Sequence, residues 1–176
     1  MSYKFTADAN HSYTLPAYYY YDPSVYERER DEIFSRTWQL VGHKEALSRP
    51  GDYITPRVAG QHLLLIRGED NVTRGFYNVC SHRAHELLTG AGRISSLVCP
   101  YHAWSYSLDG KLKYARNSDN VNGFDAAQFC LRTVKVEEFL NFVFVNLDDN
   151  AAPLHQQMGA IEPELRSFAP RLDELT

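Results

Sequence analysis

The sequence is poor in cysteine, in long apolar runs and in charge of one sign. Its 176 residues include three cysteines, too few for a scaffold held together by disulfides. Apolar runs such as Leu63 to Ile66 are far shorter than the roughly 20 residues that cross a bilayer. The formal net charge is −4 with scattered basic residues, which does not suit a nucleic-acid or anionic membrane surface. We therefore expect no nucleic-acid and no membrane partner.

The composition that remains is that of an ordinary globular protein. It is 44% hydrophobic and 23% charged, which is enough to bury a core. The first twenty residues lack a secretory signal pattern, so we expect a cytoplasmic protein. In a reducing compartment, well-spaced cysteines are more often metal ligands than bridges. Cys80 and Cys99 have such spacing, whereas Cys130, just before a strand-like run, is expected to be a small buried hydrophobe.

The pattern along the chain predicts a β-rich centre between two helical flanks. After an extended arm, Asp22-Pro23 begins an amphipathic helix over about 23–37. Pro163 is expected to kink or split a second apolar helical stripe over 154–168. Strands are predicted between these flanks, with a hairpin turn at Asp109-Gly110: 52–57, 61–67, 74–79, 95–99, 104–108, 111–114 and 132–147, the last in two pieces. The predicted fold is mainly β, an antiparallel sandwich or small barrel with flanking N- and C-terminal helices.

Two short segments each offer one thiolate and one imidazole. The chain reads Cys80-Ser81-His82, then sixteen residues, then Cys99-Pro100-Tyr101-His102. A [2Fe–2S] cluster needs four terminal ligands, and imidazoles in place of two thiolates on one iron raise its potential, to roughly −150 to +300 mV. The pattern therefore predicts a Rieske-type [2Fe–2S] cluster for one-electron transfer, held by Cys80, His82, Cys99 and His102.

Other interpretations of these residues stay open at this point. Two Cys and two His can hold a structural Zn²⁺, although zinc modules usually pair like ligands. The four residues can also be unrelated, because buried cysteines and hydrogen-bonded histidines are each common. Trp104 is expected to be an apolar wall beside the cluster, ordinary core, or both. His85 is expected to be a loop residue, and surface or hydrogen-bonded positions are expected for His11, His43, His62 and His155.

These motifs resemble the N-terminal part of the large (alpha) subunit of the Rieske non-haem iron oxygenases. The resemblance covers most of the chain and is carried by segments 38–43, 51–53, 76–83, 99–104 and 108–110. It implies an antiparallel Rieske domain in which Cys80 and Cys99 bind a buried ferric iron, and His82 and His102 bind an outer, redox-changing iron. Cytochrome bc-type Rieske proteins are less similar, because their additional bridging cysteines correspond to His85 and Tyr101 here.

The resemblance also implies a function. In this family the Rieske domain accepts an electron from a ferredoxin or flavin reductase and passes it to a mononuclear Fe(II) that activates O₂. That Fe(II) belongs to a catalytic domain missing from this sequence, so the chain alone is not expected to oxygenate anything. The implied enzyme is an oxidoreductase, a component of a mono- or dioxygenase, and a homo-oligomer (a trimer) at full length. Thr14-Leu15-Pro16, segment 38–43 and Ala103 resemble oxygenases of quaternary amines and betaines, although aromatic-ring hydroxylating members share most of the motifs.

The expected organisation has three parts. Residues 1–40 form an N-terminal arm and amphipathic helix, 41–148 the Rieske [2Fe–2S] domain, and 149–176 a helical linker toward the catalytic domain. The end segments are expected either to present apolar faces to a missing domain or neighbouring subunit, or to pack on the sandwich or on each other. A free-standing Rieske ferredoxin is an alternative, disfavoured because residues 1–40 and 150–176 exceed what a minimal carrier needs. A zinc-stabilised binding module is the other alternative.

Overall fold

The computed structural model describes residues 6–118 and 120–172 of the chain. Its strands are β1 (Gln39–His43), β2 (Asp52–Ile54), β3 (Arg57–Val58), β4 (Gln61–Arg67), β5 (Thr73–Tyr77), β6 (Ala91–Arg93), β7 (Leu97–Val98), β8 (Ser105–Tyr106), β9 (Leu112–Tyr114), β10 (Thr133–Phe139) and β11 (Phe142–Asn146). One antiparallel sheet has the order β1-β11-β10-β5-β4-β2-β6, with β3 beside β4, and a smaller sheet has the order β7-β8-β9. The predicted mainly antiparallel β fold is confirmed.

Short helices precede the first strand and follow the last strand in the sequence. They are α1 (Tyr18–Tyr21), α2 (Pro23–Glu29) with a π-helical turn Arg30–Phe34, α3 (Leu154–Met158) and α4 (Glu162–Phe168), besides 3-10 turns Ala9–His11, Lys44–Leu47 and Ala126–Phe129. Asp22 caps α2, because its carboxylate accepts a hydrogen bond from the Ser24 N–H at 2.9 Å. Pro163 lies in the first turn of α4, so the C-terminal stripe is split, as predicted. Within the described ranges, no helix is long and apolar enough to cross a membrane.

Strand β4 lies at the centre of the core and is buried on both faces. Leu63, Leu64, Leu65 and Ile66 are each 0% exposed. Successive strand residues face opposite sides of a sheet, so Leu64 and Ile66 join one core cluster while Leu63 and Leu65 join another. The first cluster also contains Phe76 and Trp104, together with Cys80, Cys99 and Tyr106. Burial on both faces explains the continuous apolar run in the sequence.

Two strands were missed by the sequence prediction. Strand β1 follows the N-terminal helix directly and is held by pairing with β11, where Gln39 lies opposite Val145. A partner so distant in sequence leaves no local signal. Strand β6 is an exposed Ala-Gly-Arg segment with no alternation of apolar residues, and it is held by its pairing with β2. The buried position expected for Cys130 is wrong, since this cysteine is exposed.

The end segments contact each other, the C-terminal one also packs on the large sheet, and both leave apolar surface uncovered. The Trp38 indole N–H donates to the Ala152 carbonyl at 2.9 Å, which ties the two segments together. Leu154 is buried, and its backbone N–H donates to Glu137 Oε2 at 2.8 Å. Tyr20 and Phe168 nevertheless remain 75% and 80% exposed. Both expectations for these segments therefore hold in part, and the proposed domain limits stay a prediction.

The predicted hairpin at Asp109-Gly110 joins β8 to β9. The Gly110 N–H donates to the Ser107 carbonyl at 2.9 Å, and Gly110 has a positive φ of 83°. A Cβ on Gly110 would lie 2.4 Å from Cε1 of the buried Phe76 ring. Only glycine satisfies both the backbone conformation and this close approach, so the turn fixes the small sheet against the large one.

We expect Gly110→Ala to destabilise the protein more than Gly60→Ala. Gly60 has a similar φ of 80°, but a Cβ added there would meet no atom within 4 Å, so Gly60→Ala isolates the backbone cost. The additional loss at Gly110 should be about 1–3 kcal/mol, because a methyl group there overpacks the core. Urea unfolding monitored by circular dichroism measures both losses. Equal losses would contradict the close packing of the turn on Phe76.

Candidate metal centre

The four candidate ligands lie on two loops that share a backbone pattern. In the first loop, after β5, the Cys80 N–H donates to the His85 carbonyl and the Ala84 N–H to the Cys80 carbonyl, at 2.8 and 2.9 Å. In the second loop, between β7 and β8, the Cys99 N–H donates to the Trp104 carbonyl and the Ala103 N–H to the Cys99 carbonyl, again at 2.8 and 2.9 Å. Two similar turns therefore present the two halves of the motif.

Each loop places an alanine in the left-handed region of backbone conformation. Ala84 has a φ of 53° and Ala103 a φ of 58°, in a region that L-residues other than glycine rarely adopt. Such a conformation costs of order 1–3 kcal/mol and persists where the surrounding contacts determine it. The backbone of both loops is therefore fixed by their hydrogen bonds and packing rather than by local preference.

The two thiols lie side by side in the core. Cys80 and Cys99 are each 2% exposed. Burial raises the pKa of the Cys80 thiol, and the adjacent Cys99 thiol raises it further. The Tyr106 hydroxyl lies 3.1 Å from Cys80 Sγ and accepts a hydrogen bond from the Ser81 N–H at 3.1 Å. Burial also raises the pKa of Tyr106, so its hydroxyl stays protonated and can donate to a thiolate.

The two imidazoles form the second half of the site. The ring centroids of His82 and His102 are 4.7 Å apart. Their Nδ1 atoms are both buried, and neither has a hydrogen-bond partner among the residues that the structure describes. Burial lowers the pKa of His102, and the positive charges of His82 and Arg83 lower it further. The neutral form that is favoured is the one that binds a metal.

Trp104 separates the imidazoles from the core. Its ring is 5% exposed and stacks on His82, with centroids 4.7 Å apart and an interplanar angle of 8°. Phe124 and Phe129 approach the indole edge-to-face, with centroids 6.0 and 5.4 Å from it. Trp104 is therefore both a core residue and the wall beside His82, the combination allowed by the sequence interpretation.

The donor set suits two metal ions better than one. Two thiols are paired in the core, and two imidazoles with unpartnered buried Nδ1 atoms are paired beside them. No three His, Cys, Asp or Glu side chains within 6–118 and 120–172 are close enough to hold a single metal ion. A tetrahedral zinc site needs four ligands around one point. The residues fit the two cysteine and two histidine ligands of a Rieske-type cluster.

A cavity of about 600 Å³ lies against the histidine side of the site. Its lining includes His82, His102 and Trp104 together with two cationic side chains, Arg83 and Arg116. Both histidines are half-buried, whereas both cysteines are fully buried. The imidazoles therefore form the side of the site that is nearest to solvent.

Asn78 fixes the base of the first loop and was missed by the sequence prediction. Its side chain is fully buried and hydrogen-bonded through both its nitrogen and its oxygen. The amide donates to Leu88 O at 2.7 Å and Glu86 Oε1 at 3.2 Å, and its oxygen accepts from the Leu87 and Leu88 N–H groups at 3.3 and 3.2 Å. The signal available in the sequence was a polar residue, Asn78, placed between the apolar residues of a strand and the candidate ligand Cys80.

Tyr106 was also missed as a site residue. It lies two positions after Trp104, and in the predicted strand 104–108 alternate side chains face the same side. That alternation was visible in the sequence, but the contact with Cys80 depends on how the two loops meet. Contacts between loops cannot be derived from strand periodicity.

The remaining histidines mostly agree with the expectation. His85 is an exposed loop residue, His155 is exposed, and His11 pairs with Asp8 at 2.6 Å. His62 Nδ1 lies 2.7 Å from Glu86 Oε1 and so supports the base of the first loop. His43 also agrees in part, because its Nδ1 accepts a hydrogen bond from the Glu45 N–H at 3.3 Å, whereas its Nε2 is buried and has no hydrogen-bond partner within the described residues.

The comparisons with known proteins agree with this geometry. The family model described as "Rieske [2Fe-2S] domain" matches residues 37–125. The carnitine monooxygenase oxygenase subunit of Acinetobacter pittii is 43% identical over 171 residues, 97% of this chain and 44% of that protein. A structure of a quaternary ammonium Rieske monooxygenase, described in terms of carnitine oxidation and inter-subunit electron transfer, has a TM-score of 0.89 and 42% identity, covering 94% of this chain and 46% of the other.

A more distant structure shares the fold as well. Naphthalene 1,2-dioxygenase has a TM-score of 0.76 and 30% identity, covering 82% of this chain and 33% of its own. The chain thus spans less than half the length of the relatives it matches.

We expect Asn78→Ala to lower the free energy of unfolding by about 2–3 kcal/mol, because it leaves buried amide and carbonyl groups without partners. Asn150→Ala is the matched control, since Asn150 is exposed and should change stability little. Urea denaturation monitored by circular dichroism gives both values. A loss at Asn78 no larger than that at Asn150 would show that the side chain does not fix the loop.

Proposed function

This chain belongs to the Rieske [2Fe–2S] domain family, and we propose that it is the electron-relay domain of a Rieske-type oxygenase. In sequence and fold it matches less than half of the length of Rieske oxygenase subunits, and the proposal places it in their N-terminal portion. The domain would accept electrons from a ferredoxin or flavin reductase and deliver them to a mononuclear Fe(II) in a catalytic domain. Homo-oligomeric (trimeric) assembly and a cytoplasmic location are part of the same proposal.

The division of the donors into two pairs carries this proposal. Cys80 and Cys99 would hold one iron, and His82 and His102 would hold the other through their buried Nδ1 atoms. A Rieske cluster bound in this way supplies one-electron transfer. The chain itself buries the thiols away from water and stacks His82 on Trp104, and burial lowers the pKa of His102, which favours its neutral form.

The asymmetry in burial supports a direction for electron transfer. The cysteines lie in the core, whereas the histidines adjoin the cavity that contains Arg83 and Arg116. Electron tunnelling needs a short distance between the exchanging groups, so a redox partner would approach the imidazole side. An acidic partner surface would suit the two arginines.

Among substrates, we propose a quaternary ammonium compound. The chain is 43% identical to a carnitine monooxygenase subunit and 30% identical to naphthalene 1,2-dioxygenase. These relatives extend well beyond the stretch that this chain matches, so the assay belongs to the complete oxygenase. Oxygen uptake coupled to carnitine and related betaines, with naphthalene as the comparison, tests this choice. A preference for naphthalene would overturn it.

The ligand assignment is tested by visible absorption, metal analysis and electron paramagnetic resonance (EPR) of the reduced protein. We expect two iron atoms per chain and a Rieske-type spectrum. His102→Cys should lower the potential and move the EPR spectrum toward that of an all-cysteine cluster, because a thiolate replaces a neutral imidazole. His155→Cys adds a cysteine at an exposed position and should change neither. A colourless, zinc-containing protein would support the binding module instead.

Reading the coding sequence downstream of Thr176 tests the alternative of a free-standing carrier. A continuing open frame that encodes a second metal-binding domain supports the oxygenase. A stop codon without a neighbouring oxygenase gene supports the carrier.

The Tyr106 hydroxyl should raise the reduction potential of the bound cluster. It lies 3.1 Å from Cys80 Sγ, where it can donate to the ligating thiolate. Tyr106→Phe should lower the potential by about 20–60 mV, since a hydrogen bond contributes about 0.5–1.5 kcal/mol and a tenfold one-electron change is about 59 mV. Tyr77→Phe is the control, because its ring contacts Arg132 rather than a thiol. Equal reduction potentials for the two variants in a redox titration would contradict this role of the Tyr106 hydroxyl.

A further inference from the structure

One aromatic side chain of the second loop contacts both loops. The Tyr101 ring lies over the imidazole of His102, with centroids 3.8 Å apart and an interplanar angle of 35°. It also contacts His85 of the first loop, with centroids 5.5 Å apart and an angle of 42°. Tyr101 therefore covers one candidate ligand, His102, and joins its loop to the first loop, which carries Cys80 and His82.

Both ring positions are fixed by their surroundings. Pro100 restricts the backbone immediately before Tyr101. His85 Nδ1–H donates to the Glu86 carbonyl at 2.6 Å, which orients the imidazole. Glu86 is itself held by Asn78 and His62 at the base of the first loop. The contact thus joins Tyr101 to an imidazole that is already oriented, which limits the conformational freedom lost when the contact forms.

The other contacts between the loops lie on the inner side of the site. His82 stacks on the buried Trp104, and the buried Tyr106 reaches Cys80 and Ser81. By contrast, Tyr101 is 56% exposed and His85 is exposed. Among the described residues, the His85–Tyr101 ring pair therefore joins the loops on the solvent side, in addition to the contact between the His82 and His102 rings.

We infer that the His85–Tyr101 ring pair is a positioning device that holds the two ligand loops together and slows loss of the bound cluster. Without it, the second loop can move outward on the side where His102 is nearest to solvent. Neither residue is a ligand in this inference, which rests on the ligand set of the proposed function. The ring contact is the essential feature, so Tyr101→Phe should retain it.

The experiment compares the rate at which an iron chelator bleaches the visible absorption of the cluster-loaded protein. Tyr101→Ala and His85→Ala should each bleach about two- to tenfold faster than the parent, in keeping with the free energy of one aromatic contact. The double variant should bleach little faster than Tyr101→Ala alone, because Tyr101→Ala already removes the contact with His85. Tyr101→Phe should bleach at the parental rate.

Exposed residues of the same types serve as controls. Tyr114 is 55% exposed and His155 is exposed, and alanine at either position should leave the bleaching rate unchanged. EPR of the reduced variants adds a second readout, since a displaced His102 broadens or shifts the spectrum while the global fold, followed by circular dichroism, stays the same.

The outcomes separate this inference from the proposed function. If the parent protein lacks iron–sulfur absorption, the proposed function itself is wrong. If the parent protein carries the cluster but Tyr101→Ala and His85→Ala bleach at the rate of the controls, only the inference is wrong. Rates that multiply in the double variant would show that the two residues act separately, which also overturns it.

Discussion

Placing two thiols side by side in an apolar core is the constraint on which the rest of this structure depends. Cys80 and Cys99 are almost completely buried, and deprotonating a buried thiol is unfavourable unless charge or hydrogen bonds compensate. Tyr106 and the Ser81 amide supply polar contacts at this position. Both loops must then adopt strained turns, with Ala84 and Ala103 at positive φ, to bring their histidines beside the thiols. The site thus determines the backbone geometry of both ligand loops.

The sequence was most informative where the determinants are local. Strand β4 was predicted with the observed limits because a strand that is buried on two faces has a continuous run of apolar residues. The spacing of Cys80, His82, Cys99 and His102 was sufficient to propose a cluster because each pair lies within one short turn. The split at Pro163 followed from the missing N–H of proline.

Features that depend on distant partners were not predictable in the same way. Strand β1 is defined by its pairing with β11, and neither Gln39 nor Leu40 carries a strand signal strong enough to stand alone. The contacts of Asn78 and Tyr106 depend on how separate segments meet. Cys130 was expected to be buried from the apolar run after it, but its own position lies in an exposed loop. In each case the deciding contact is tertiary.

The order of the strands also bears on how the protein acquires its metal. The small sheet β7-β8-β9 joins strands that are consecutive in the chain, and it contains the whole second ligand loop. In the large sheet, by contrast, the edge strand β1 pairs through Gln39 with Val145, which lies far later in the chain. Local contacts form faster than distant ones because less chain entropy is lost. The order of contacts therefore favours a second ligand loop that is in place before the large sheet closes.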